Sequence, residues 1–331
     1  MRILAVDDQK KTLTMADAIE AVGRALAEFS AGRADSPIRT ALPVPGVRGT
    51  SLFMPALVER EGGLGVKFVS VFPRNRELGK KTIYGVLVLA DVETAEPIAL
   101  LEASYLTALR TGAAAGLATR HLSRPDSHTV ALIGTGAQAP FQLRGVMAVR
   151  EIREVRLYND KPDAAYRLAA QMREELGAKA PHFVVCLTPE DVVRQADIVI
   201  TATNSLTPVF PGGLIGPGVH INAIGSFRPN MQELPPGVIH PHSKVVVESR
   251  EVAVEETGDL VIPIREGIFR PEQIYAELGE IAAGKKPGRE RPDEITVFKS
   301  VGLAAMDMVV GRAMYDRAVA LGLGTAVNLG E

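Results

Sequence analysis

The sequence predicts an α/β protein in which a Rossmann-type, doubly wound parallel sheet is joined to a second, α+β domain built from both chain ends. Three observations predict this class. From Val130 onward, continuous apolar strands alternate with helices, as in parallel sheets covered on both faces. Between Arg39 and Glu102, β-rich segments broken by Pro and Gly follow one another directly. A chain of 331 residues also exceeds what one core usually carries.

The first part of the chain predicts a helix followed by an antiparallel sheet. The helix spans 14–33, with Thr14 as its cap, Asp17 in the first turn and Gly32 at the far end. Its apolar face recurs at helical spacing and is formed by Ile19, Val22, Leu26 and Phe29. In the β-rich part that follows, DVETAEP is typical of a hairpin turn. The stretch ASYLTALRTGAAAGLATRHL then predicts a small-residue helix that packs closely against a neighbour.

The remainder predicts the parallel sheet and a return to the first domain. Six strands are expected, in TVALIG, EVRLYN, HFVVCL, DIVITAT, VHINAIG and KVVVES. Helices are expected between them, one of them starting near Ala137 with Pro140 in its first turn. We interpret TVFKSVGLAAMDMVVGRAMYDRAVALG as a single long amphipathic helix. The predicted domains are 1–115 with 300–331, for substrate binding and dimerisation, and 116–299, for dinucleotide binding.

Composition and charge narrow the classes of function. Hydrophobic residues make up 46% of the chain, charged residues 23%, and the net charge is −2 without a block of like charges. These values indicate neither a nucleic-acid partner nor a membrane partner. The apolar stretch in MRILAVDDQKKTL is too short for a signal peptide, and the one cysteine, Cys186, allows no intrachain disulfide. The sequence therefore predicts a cytoplasmic protein.

The stretch VALIGTGAQAPFQ is typical of a dinucleotide-binding turn. Gly134 permits a tight turn, Gly136 lets the backbone approach a pyrophosphate, and Ala139 lets helix and strand pack closely. The start of the helix then offers free N–H groups to the phosphates. The predicted contacts come from the whole turn, which comprises Gly134, Thr135, Gly136, Ala137 and Gln138.

The residues expected at the ribose leave the choice of cofactor open. Asn159 ends the second strand, where an acid would bind the ribose hydroxyls of NAD. Asn159 tolerates a 2′-phosphate and Lys161 can pair with one, whereas Asp160 repels it. We therefore expect NAD(H) or NADP(H) as the cofactor, with neither preferred.

Five segments together resemble the ornithine cyclodeaminase/mu-crystallin family. They are GVKFVSVFPRN, LTALRTGAAAGLAT, ALIGTGAQA, INAIGSFRPNMQEL and TVFKSVGLAAMD, and they occur in the family's order across most of the chain. The resemblance implies a homodimer, with a Rossmann domain between the parts of a substrate and dimerisation domain. Family members include cyclodeaminases, an archaeal alanine dehydrogenase, ketimine reductases and thyroid-hormone-binding mu-crystallins.

The family's substrates carry an α-carboxylate, which a guanidinium fork binds well. By resemblance, Arg39 is the substrate-binding arginine, and Lys67 contacts the carboxylate or acts as acid and base. Lys67 lies in an otherwise apolar strand, and burial beside Arg39 would lower its pKa. Arg110 and Thr111 are expected at the cofactor pyrophosphate and the neighbouring substrate.

Further residues are expected around the cofactor and the substrate. Thr82 matches a family threonine near the cofactor, although an ordinary strand threonine fits its position nearly as well. Tyr84 is expected to line the substrate pocket, with Phe227. The expected neighbours of the nicotinamide side are the strand-end residues Thr203, Asn204, Ile224 and Gly225, and Lys299 and Ser300 at the start of the C-terminal helix. No metal site is expected, because His240 and His242 lack an accompanying carboxylate or cysteine cluster. Glu233 is a possible rival acid, which we interpret as structural.

One departure from the family pattern indicates which of the family's activities this protein has. Cyclodeaminases place an aspartate with an acid/base role two residues after the glycine that matches Gly225, and here Phe227 occupies that place. Phenylalanine transfers no proton, whereas imine reduction needs only a bound carboxylate, a protonated imine and a hydride donor. The lead hypothesis is therefore an oxidoreductase that reduces Δ1-pyrroline-2-carboxylate or Δ1-piperideine-2-carboxylate to L-proline or L-pipecolate.

Three alternatives remain open at this point. An alanine dehydrogenase-like enzyme would use the same groups on an open-chain imine. An ornithine or lysine cyclodeaminase would release ammonia without net cofactor turnover. A mu-crystallin-like binding protein would retain the pocket for a ligand, although a hydrophobic ligand would not need both Arg39 and Lys67.

Overall fold

The structure is a computed structural model that describes residues 1–240 and 242–330. The chain divides into two compact units, one formed by Met1–Arg110 with the C-terminal segment from Leu303, and one formed by Thr111–Gly302. The domain boundaries and roles given above stay predictions. Within the described residues, no helix is long and apolar enough to cross a membrane.

The first unit is built on a seven-stranded sheet. Its strands are β1 (Arg2–Leu4), β2 (Thr40–Val44), β3 (Gly49–Val58), β4 (Gly63–Val71), β5 (Ile83–Ala90), β6 (Pro97–Glu102) and β15 (Thr325–Ala326). They pair in the order β15-β1-β6-β5-β4-β3-β2, and every pair is antiparallel except β1 with β6. The helices are α1 (Val6–Gln9), α2 (Met15–Ser30), α10 (Ala304–Ala320) and the beginning of α3 (Ala103–Leu122). The predicted antiparallel sheet is confirmed.

Local sequence signals account for the elements of this unit. The Thr14 hydroxyl accepts a hydrogen bond from the Asp17 N–H at 3.2 Å, and the Asp17 carboxylate accepts one from the Thr14 N–H at 2.9 Å. This reciprocal capping box starts α2, as the sequence predicts. The predicted hairpin turn is also present between β5 and β6, where the Asp91 carboxylate accepts hydrogen bonds from the N–H groups of Glu93 and Thr94.

Helix α10 packs on one face of this sheet through small residues. A Cβ added at Gly311 would collide with the Leu87 side chain, and one added at Gly63 would lie 3.1 Å from Cβ of Met308. These glycines let the helix approach β4 and β5 closely. The residues of that sheet face, such as Met54, are therefore buried.

The second unit is built on an eight-stranded sheet in which every pair of strands is parallel. Its strands are β7 (Thr129–Ile133), β8 (Glu154–Tyr158), β9 (His182–Val185), β10 (Ile198–Thr201), β11 (His220–Ala223), β12 (Lys244–Val247), β13 (Ala276–Glu277) and β14 (Thr296–Lys299). They pair in the order β13-β12-β14-β11-β10-β7-β8-β9. The helices besides α3 are α4 (Ala139–Met147), α5 (Pro162–Leu176), α6 (Pro189–Val193), α7 (Arg250–Glu256), α8 (Gly258–Arg265) and α9 (Leu278–Ala282).

The strand order places a topological switch point beside β7. From β7 the chain runs outward through β8 and β9 and then returns to β10 on the other side of β7, so the direction of strand addition reverses there. Ligands of doubly wound sheets bind in the crevice at the carboxyl ends of such strands. The predicted close packing of the small-residue helix is confirmed as well, because a Cβ at Gly112 of α3 would collide with the Phe141 carbonyl of α4.

Two predictions about secondary structure are wrong. Residues 296–320 do not form one helix, because Thr296–Lys299 is a strand paired on both sides with β11 and β12, and α10 begins only at Ala304. Burial of Val297 and Phe298 in the middle of the sheet overrides the helical pattern, and Gly302, at φ +90°, breaks the chain direction before α10. Cys186 does not lie in mid-strand. It follows β9, is half-buried and packs against the core.

Candidate active site

A buried charge cluster lies in the first unit, where β4 meets α10 and α3. The Lys67 Nζ lies 2.5 Å from Oδ2 of Asp307, and the Arg110 Nε lies 3.0 Å from Oδ1 of the same carboxylate. All three side chains are almost completely buried, with exposed fractions of 2%, 0% and 6% for Lys67, Asp307 and Arg110. Two cations therefore share one carboxylate. We call these three residues the substrate-unit cluster.

The fold explains why these side chains are buried. Lys67 lies in the middle of β4, opposite Met54 on β3 and Leu87 on β5, and it points to the face that α10 covers. Asp307 lies in the first turn of α10. A buried charge is tolerated only when it is paired and hydrogen-bonded, so each of these residues depends on the others.

Burial and charge act in opposite directions on the protonation of this cluster. The pKa of Lys67 is lowered to about 8: burial lowers it most, the positive charges of Arg110 and Arg39 also lower it, and the Asp307 carboxylate partly offsets them by raising it. Burial by itself would raise the pKa of Asp307, but Arg110 and Lys67 outweigh burial and hold that pKa below its usual value. Near neutral pH the cluster therefore contains an anionic Asp307 and a lysine that can exchange a proton.

The structure brings some of the predicted substrate residues together and leaves others apart. Arg39, which is half-buried just before β2, is close enough to influence the pKa of Lys67. Tyr84 is 48% exposed and lies three residues before Leu87 on β5, so its side chain occupies the opposite face of the sheet from Lys67. Thr82, just before β5, accepts a hydrogen bond at its carbonyl from the Phe72 N–H. Their predicted contacts with substrate and cofactor stay predictions.

In the second unit, the glycine turn between β7 and α4 has the geometry of a phosphate cradle. Gly134 has φ +92°, and a Cβ there would lie 2.6 Å from the carbonyl oxygen of Ala202. No atom lies within 4 Å of the position of a Cβ at Gly136, so the turn is open on that side. The Thr135 hydroxyl is buried without a hydrogen-bond partner in the described structure. A turn with an obligatory glycine, open space and an orphaned hydroxyl fits a dinucleotide pyrophosphate.

The other residues predicted at the cofactor lie at the same edge of this sheet. Strands β7, β8, β10, β11 and β14 are in register, so that Ile133, Tyr158, Thr201, Ala223 and Lys299 end them at one level. The predicted residues that follow these ends are Asn159, Asp160, Lys161, Thr203, Asn204, Ile224, Gly225 and Ser300. Thr111 belongs to α3 and is buried. Phe227 follows β11, is 38% exposed, and lies under the Arg228 guanidinium at 5.4 Å.

Contacts at the end of β8 involve the turn directly. The Asn159 side-chain oxygen accepts a hydrogen bond from the Thr135 N–H at 3.2 Å, and its amide donates one to the Lys161 carbonyl. Asp160 is exposed and accepts a long hydrogen bond from the Tyr158 hydroxyl at 3.4 Å. Asn159 thus holds the glycine turn in place, while Asp160 and Lys161 are left at the surface.

A second buried charge cluster joins three of these strand ends. The Glu233 carboxylate accepts hydrogen bonds from the backbone N–H groups of Thr203 and Gly225, each at 2.6 Å, and from the hydroxyls of Thr201 and Thr203. The Asp259 carboxylate accepts one from the Glu233 N–H at 2.7 Å and lies 3.3 Å from the Lys299 Nζ. We call Glu233, Asp259 and Lys299 the strand-end cluster. Its contacts support the structural interpretation of Glu233.

The position of Lys299 and Ser300 corrects the sequence interpretation. They do not open the C-terminal helix. Lys299 is the last residue of β14 and donates a hydrogen bond to the Ala223 carbonyl at 2.9 Å. Ser300 donates one to the Glu248 carboxylate at 2.7 Å, so its hydroxyl is tied to another strand end. Both side chains are buried.

The histidines show no catalytic arrangement in the described part of the molecule. No group of three or more His, Cys, Asp and Glu side chains there can hold a metal ion. His220 is buried between Thr296 and Asn222, and burial and nearby arginines lower its pKa to about 3. It is therefore a neutral core residue.

Comparison with known proteins agrees with this fold. The family model of the ornithine cyclodeaminase/mu-crystallin family matches residues 2–322. The chain therefore belongs to that family, and the predicted resemblance and Rossmann-type fold are confirmed. The class is that of nicotinamide-dependent oxidoreductases acting on C=N bonds and their relatives.

Individual relatives are more specific. The chain is 49% identical over 328 residues to a Δ1-pyrroline-2-carboxylate reductase of Bacillus cereus, covering 99% of this chain and 100% of that one. The structure of Thermococcus litoralis Δ1-pyrroline-2-carboxylate reductase with NADH and L-proline superposes with a TM-score of 0.93 at 39% identity, covering 99% of this chain and 100% of the other. An archaeal alanine dehydrogenase dimer with bound NAD gives a TM-score of 0.92 at 33% identity, covering 100% and 99%.

The residue that sequence reasoning missed is Asp307. It ends the motif TVFKSVGLAAMD, and it is the one charge in the apolar run LAAMDMVV. An isolated carboxylate in such a run needs a buried partner, as does an isolated lysine in an apolar strand. The two signals lie 240 residues apart, and nothing in the sequence pairs them.

Proposed function

We propose that this protein is an NAD(P)H-dependent reductase that converts Δ1-pyrroline-2-carboxylate to L-proline and accepts Δ1-piperideine-2-carboxylate to give L-pipecolate. One observation carries the proposal: a chain similar over its full length to Δ1-pyrroline-2-carboxylate reductases places two buried cations on a single carboxylate. The excess positive charge suits a substrate with one α-carboxylate.

The roles of the substrate residues follow from their charge and protonation. Arg39 and Arg110 bind the α-carboxylate of the substrate, because a guanidinium remains charged at all relevant pH values. Lys67 holds a proton for the imine nitrogen, since its pKa near 8 leaves it protonated but able to donate at neutral pH. Lys67 is thus the proposed acid of the reaction.

The cofactor is held by the second unit in this proposal. The turn from Gly134 to Gln138 binds the pyrophosphate, and Asn159, Asp160 and Lys161 lie at the ribose. When bound, a reduced nicotinamide dinucleotide supplies the hydride to the imine carbon. The strand ends at Thr203 and Gly225 lie on the nicotinamide side.

Phe227 favours reduction over cyclodeamination. Ring closure with loss of ammonia needs an additional acid/base group, and a phenylalanine ring cannot supply one. The Glu233 carboxylate cannot replace it, because its oxygens already accept hydrogen bonds from Thr203 and Gly225.

The assay that tests this function follows NADH and NADPH oxidation at 340 nm with each cyclic imine. We expect rapid oxidation of at least one cofactor with Δ1-pyrroline-2-carboxylate, and no ammonia from ornithine with NAD. Ammonia release without net cofactor turnover would contradict the proposal and identify a cyclodeaminase. Faster turnover of pyruvate with ammonia than of either cyclic imine would identify an alanine dehydrogenase.

We also propose a cytoplasmic homodimer, joined through the outer face of the first unit's sheet. That face is apolar and accessible: Phe53, Tyr84 and Val86 are 38%, 48% and 37% exposed, and Phe53 stacks on Phe68 at 5.1 Å. The archaeal alanine dehydrogenase of similar fold is described as a dimer. Exposed contiguous apolar surface of this kind typically marks an interface.

Light scattering after gel filtration tests the dimer. We expect the mass of two chains for the wild type and of one chain for Phe53→Glu. Tyr166→Glu, at an aromatic position on α5 of the second unit that is more exposed than Phe53, is the control and should stay dimeric. A monomeric wild type, or a dimeric Phe53→Glu variant, would contradict this interface.

A further inference from the structure

We propose that Asp307 is a positioning residue for imine reduction: it holds the ammonium of Lys67 and the guanidinium of Arg110 in one fixed arrangement and keeps Lys67 charged until it gives up its proton. This inference rests on the proposed function and assigns a role to a residue outside the substrate contacts discussed above.

The Asp307 carboxylate bridges two buried cations. Each oxygen of the Asp307 carboxylate contacts a different cation, with Oδ2 2.5 Å from the Lys67 Nζ and Oδ1 3.0 Å from the Arg110 Nε. One rigid carboxylate therefore sets the distance and the angle between two groups that come from β4 and α3. A carboxylate that bridges two cations in this way fixes the positions of the two cations relative to each other.

The packing of α10 holds Asp307 rigidly. Asp307 lies in the first turn of α10, which packs on the sheet through Gly311 and Gly63, and its side chain is completely buried. A group held by a packed helix rather than by a loop keeps its partners within a few tenths of an ångström of a set geometry. The position of Lys67 is therefore determined from the C-terminal segment of the chain.

The negative charge of Asp307 favours the ammonium form of Lys67. The charged groups with the largest effect on Lys67 are Asp307 from α10, Arg110 from α3 and Arg39 from the segment before β2, and Asp307 is the negative one of these three. Without Asp307, burial and two arginines would all oppose the ammonium form. Asp307 also offsets the positive charge that develops on the substrate nitrogen when Lys67 donates its proton.

In this proposal, Lys67 transfers one proton to the imine nitrogen of the substrate. The N–H bond of the Lys67 ammonium breaks as the imine nitrogen takes the proton, which leaves a neutral amine on Lys67 and an iminium on the substrate. A bound reduced nicotinamide would supply the hydride for the new C–H bond and would itself become oxidised, while the C=N electron pair would pass to the substrate nitrogen. The amine of Lys67 then regains a proton from solvent. Asp307 remains ionised throughout, because it stays beside Arg110.

The test compares Asp307→Asn with the wild type in the dependence of kcat/KM on pH. We expect kcat/KM at pH 7 to fall about 10- to 100-fold, and the descending alkaline limb to move at least about one pH unit lower. The sign follows because removing the negative charge favours the neutral form of Lys67. The control is Asp316→Asn on the same helix, which pairs with Arg312 at the surface and should leave both quantities unchanged.

Binding of pyrrole-2-carboxylate, a flat analogue of the imine, gives a readout besides turnover. Calorimetry at pH 7 should show at least about tenfold weaker binding by Asp307→Asn, because the two cations are no longer oriented together. If Asp307→Asn does not fold, Asp307→Glu retains the charge and displaces it. That variant should lose at least about tenfold in kcat/KM while its alkaline limb stays at the wild-type pH.

The outcomes separate this inference from the proposed function. A wild type that reduces neither cyclic imine contradicts the function, and the role of Asp307 is then judged on analogue binding alone. An active wild type together with an unmoved limb and unchanged analogue binding in Asp307→Asn overturns the role of Asp307. Wild-type kcat/KM in Asp307→Glu overturns it as well.

Discussion

The two units each bury a charge cluster, and the clusters have opposite compositions. The substrate-unit cluster places two cations, Lys67 and Arg110, on one carboxylate. The strand-end cluster places two carboxylates, Glu233 and Asp259, around one lysine. In both clusters burial disfavours charge, so each charge persists only through its partners.

The two clusters differ in the groups that pair with their excess charge, which is negative in the strand-end cluster and positive in the substrate-unit cluster. In the strand-end cluster, backbone N–H groups and hydroxyls at the ends of β10 and β11 donate to Glu233, and the fold uses up the excess. In the substrate-unit cluster, Lys67 and Arg110 share the one carboxylate of Asp307. The excess negative charge of the strand-end cluster is neutralised by donors of the fold itself, so that cluster is structural. The excess positive charge of the substrate-unit cluster can be neutralised by a substrate carboxylate, so that cluster is suited to binding and chemistry.

The largest effect should come from removing the lysine of the substrate-unit cluster. Lys67→Met eliminates the proposed acid, so we expect kcat/KM for Δ1-pyrroline-2-carboxylate to fall by about 10²- to 10⁴-fold. Steady-state kinetics measure this, with thermal unfolding as a check on folding. Lys10→Met, at an exposed position after α1, is the control. A variant that keeps more than a tenth of the activity would show that Lys67 is not the acid.

A smaller effect is expected at the phosphate turn. Gly134→Ala places a Cβ 2.6 Å from the Ala202 carbonyl at φ +92°, so NADH affinity should fall at least about tenfold and the melting temperature should drop. Gly136→Ala meets no atom within 4 Å. It should weaken NADH binding while leaving the melting temperature unchanged.

Fluorescence titration with NADH and thermal unfolding together check this pair of variants. Normal NADH binding by both variants would mean that the turn does not hold the pyrophosphate. A loss of stability in Gly136→Ala equal to that in Gly134→Ala would mean that the turn is only a structural corner.

The pH dependence of kcat/KM in the wild type tests whether Lys67 in the substrate-unit cluster is the acid. Lys67 is protonated below its pKa of about 8 and neutral above it, so kcat/KM should be level below pH 8 and decline above it. At pH 9 we expect about a tenth of the plateau value. A profile that stays level to pH 10 would contradict the proposed acid.

The smallest change in turnover is expected from the strand-end cluster. Glu233→Gln replaces one acceptor oxygen with an amide donor facing other donors, which should reduce the free energy of unfolding by about 1–3 kcal/mol. The KM for the cofactor should rise a few-fold at most, and the alkaline limb should not move. Urea unfolding and pH profiles measure both, and a shifted limb would indicate that Glu233 takes part in proton transfer.

Much of the fold and of the candidate cofactor site follows from local sequence. The capping box of α2, the β5–β6 hairpin and the turn at Gly134 each depend on a few neighbouring residues, and all three are present. The in-register strand ends follow from the parallel alternation of strands and helices. Local signals fail at Thr296–Lys299, where pairing with two buried strands overrides a helical pattern.

The sequence by itself determined the family, the two kinds of sheet and the presence of an isolated lysine in an apolar strand. It left open what Lys67 pairs with, because α10 returns to β4 only after the whole second unit has intervened in the chain. The tertiary structure decided that Asp307 is the partner, that Arg110 shares it, and that Glu233 is satisfied by strand ends. The physical reason is that burial makes each of these charges dependent on a partner, and such partners are chosen by packing in space rather than by proximity along the chain.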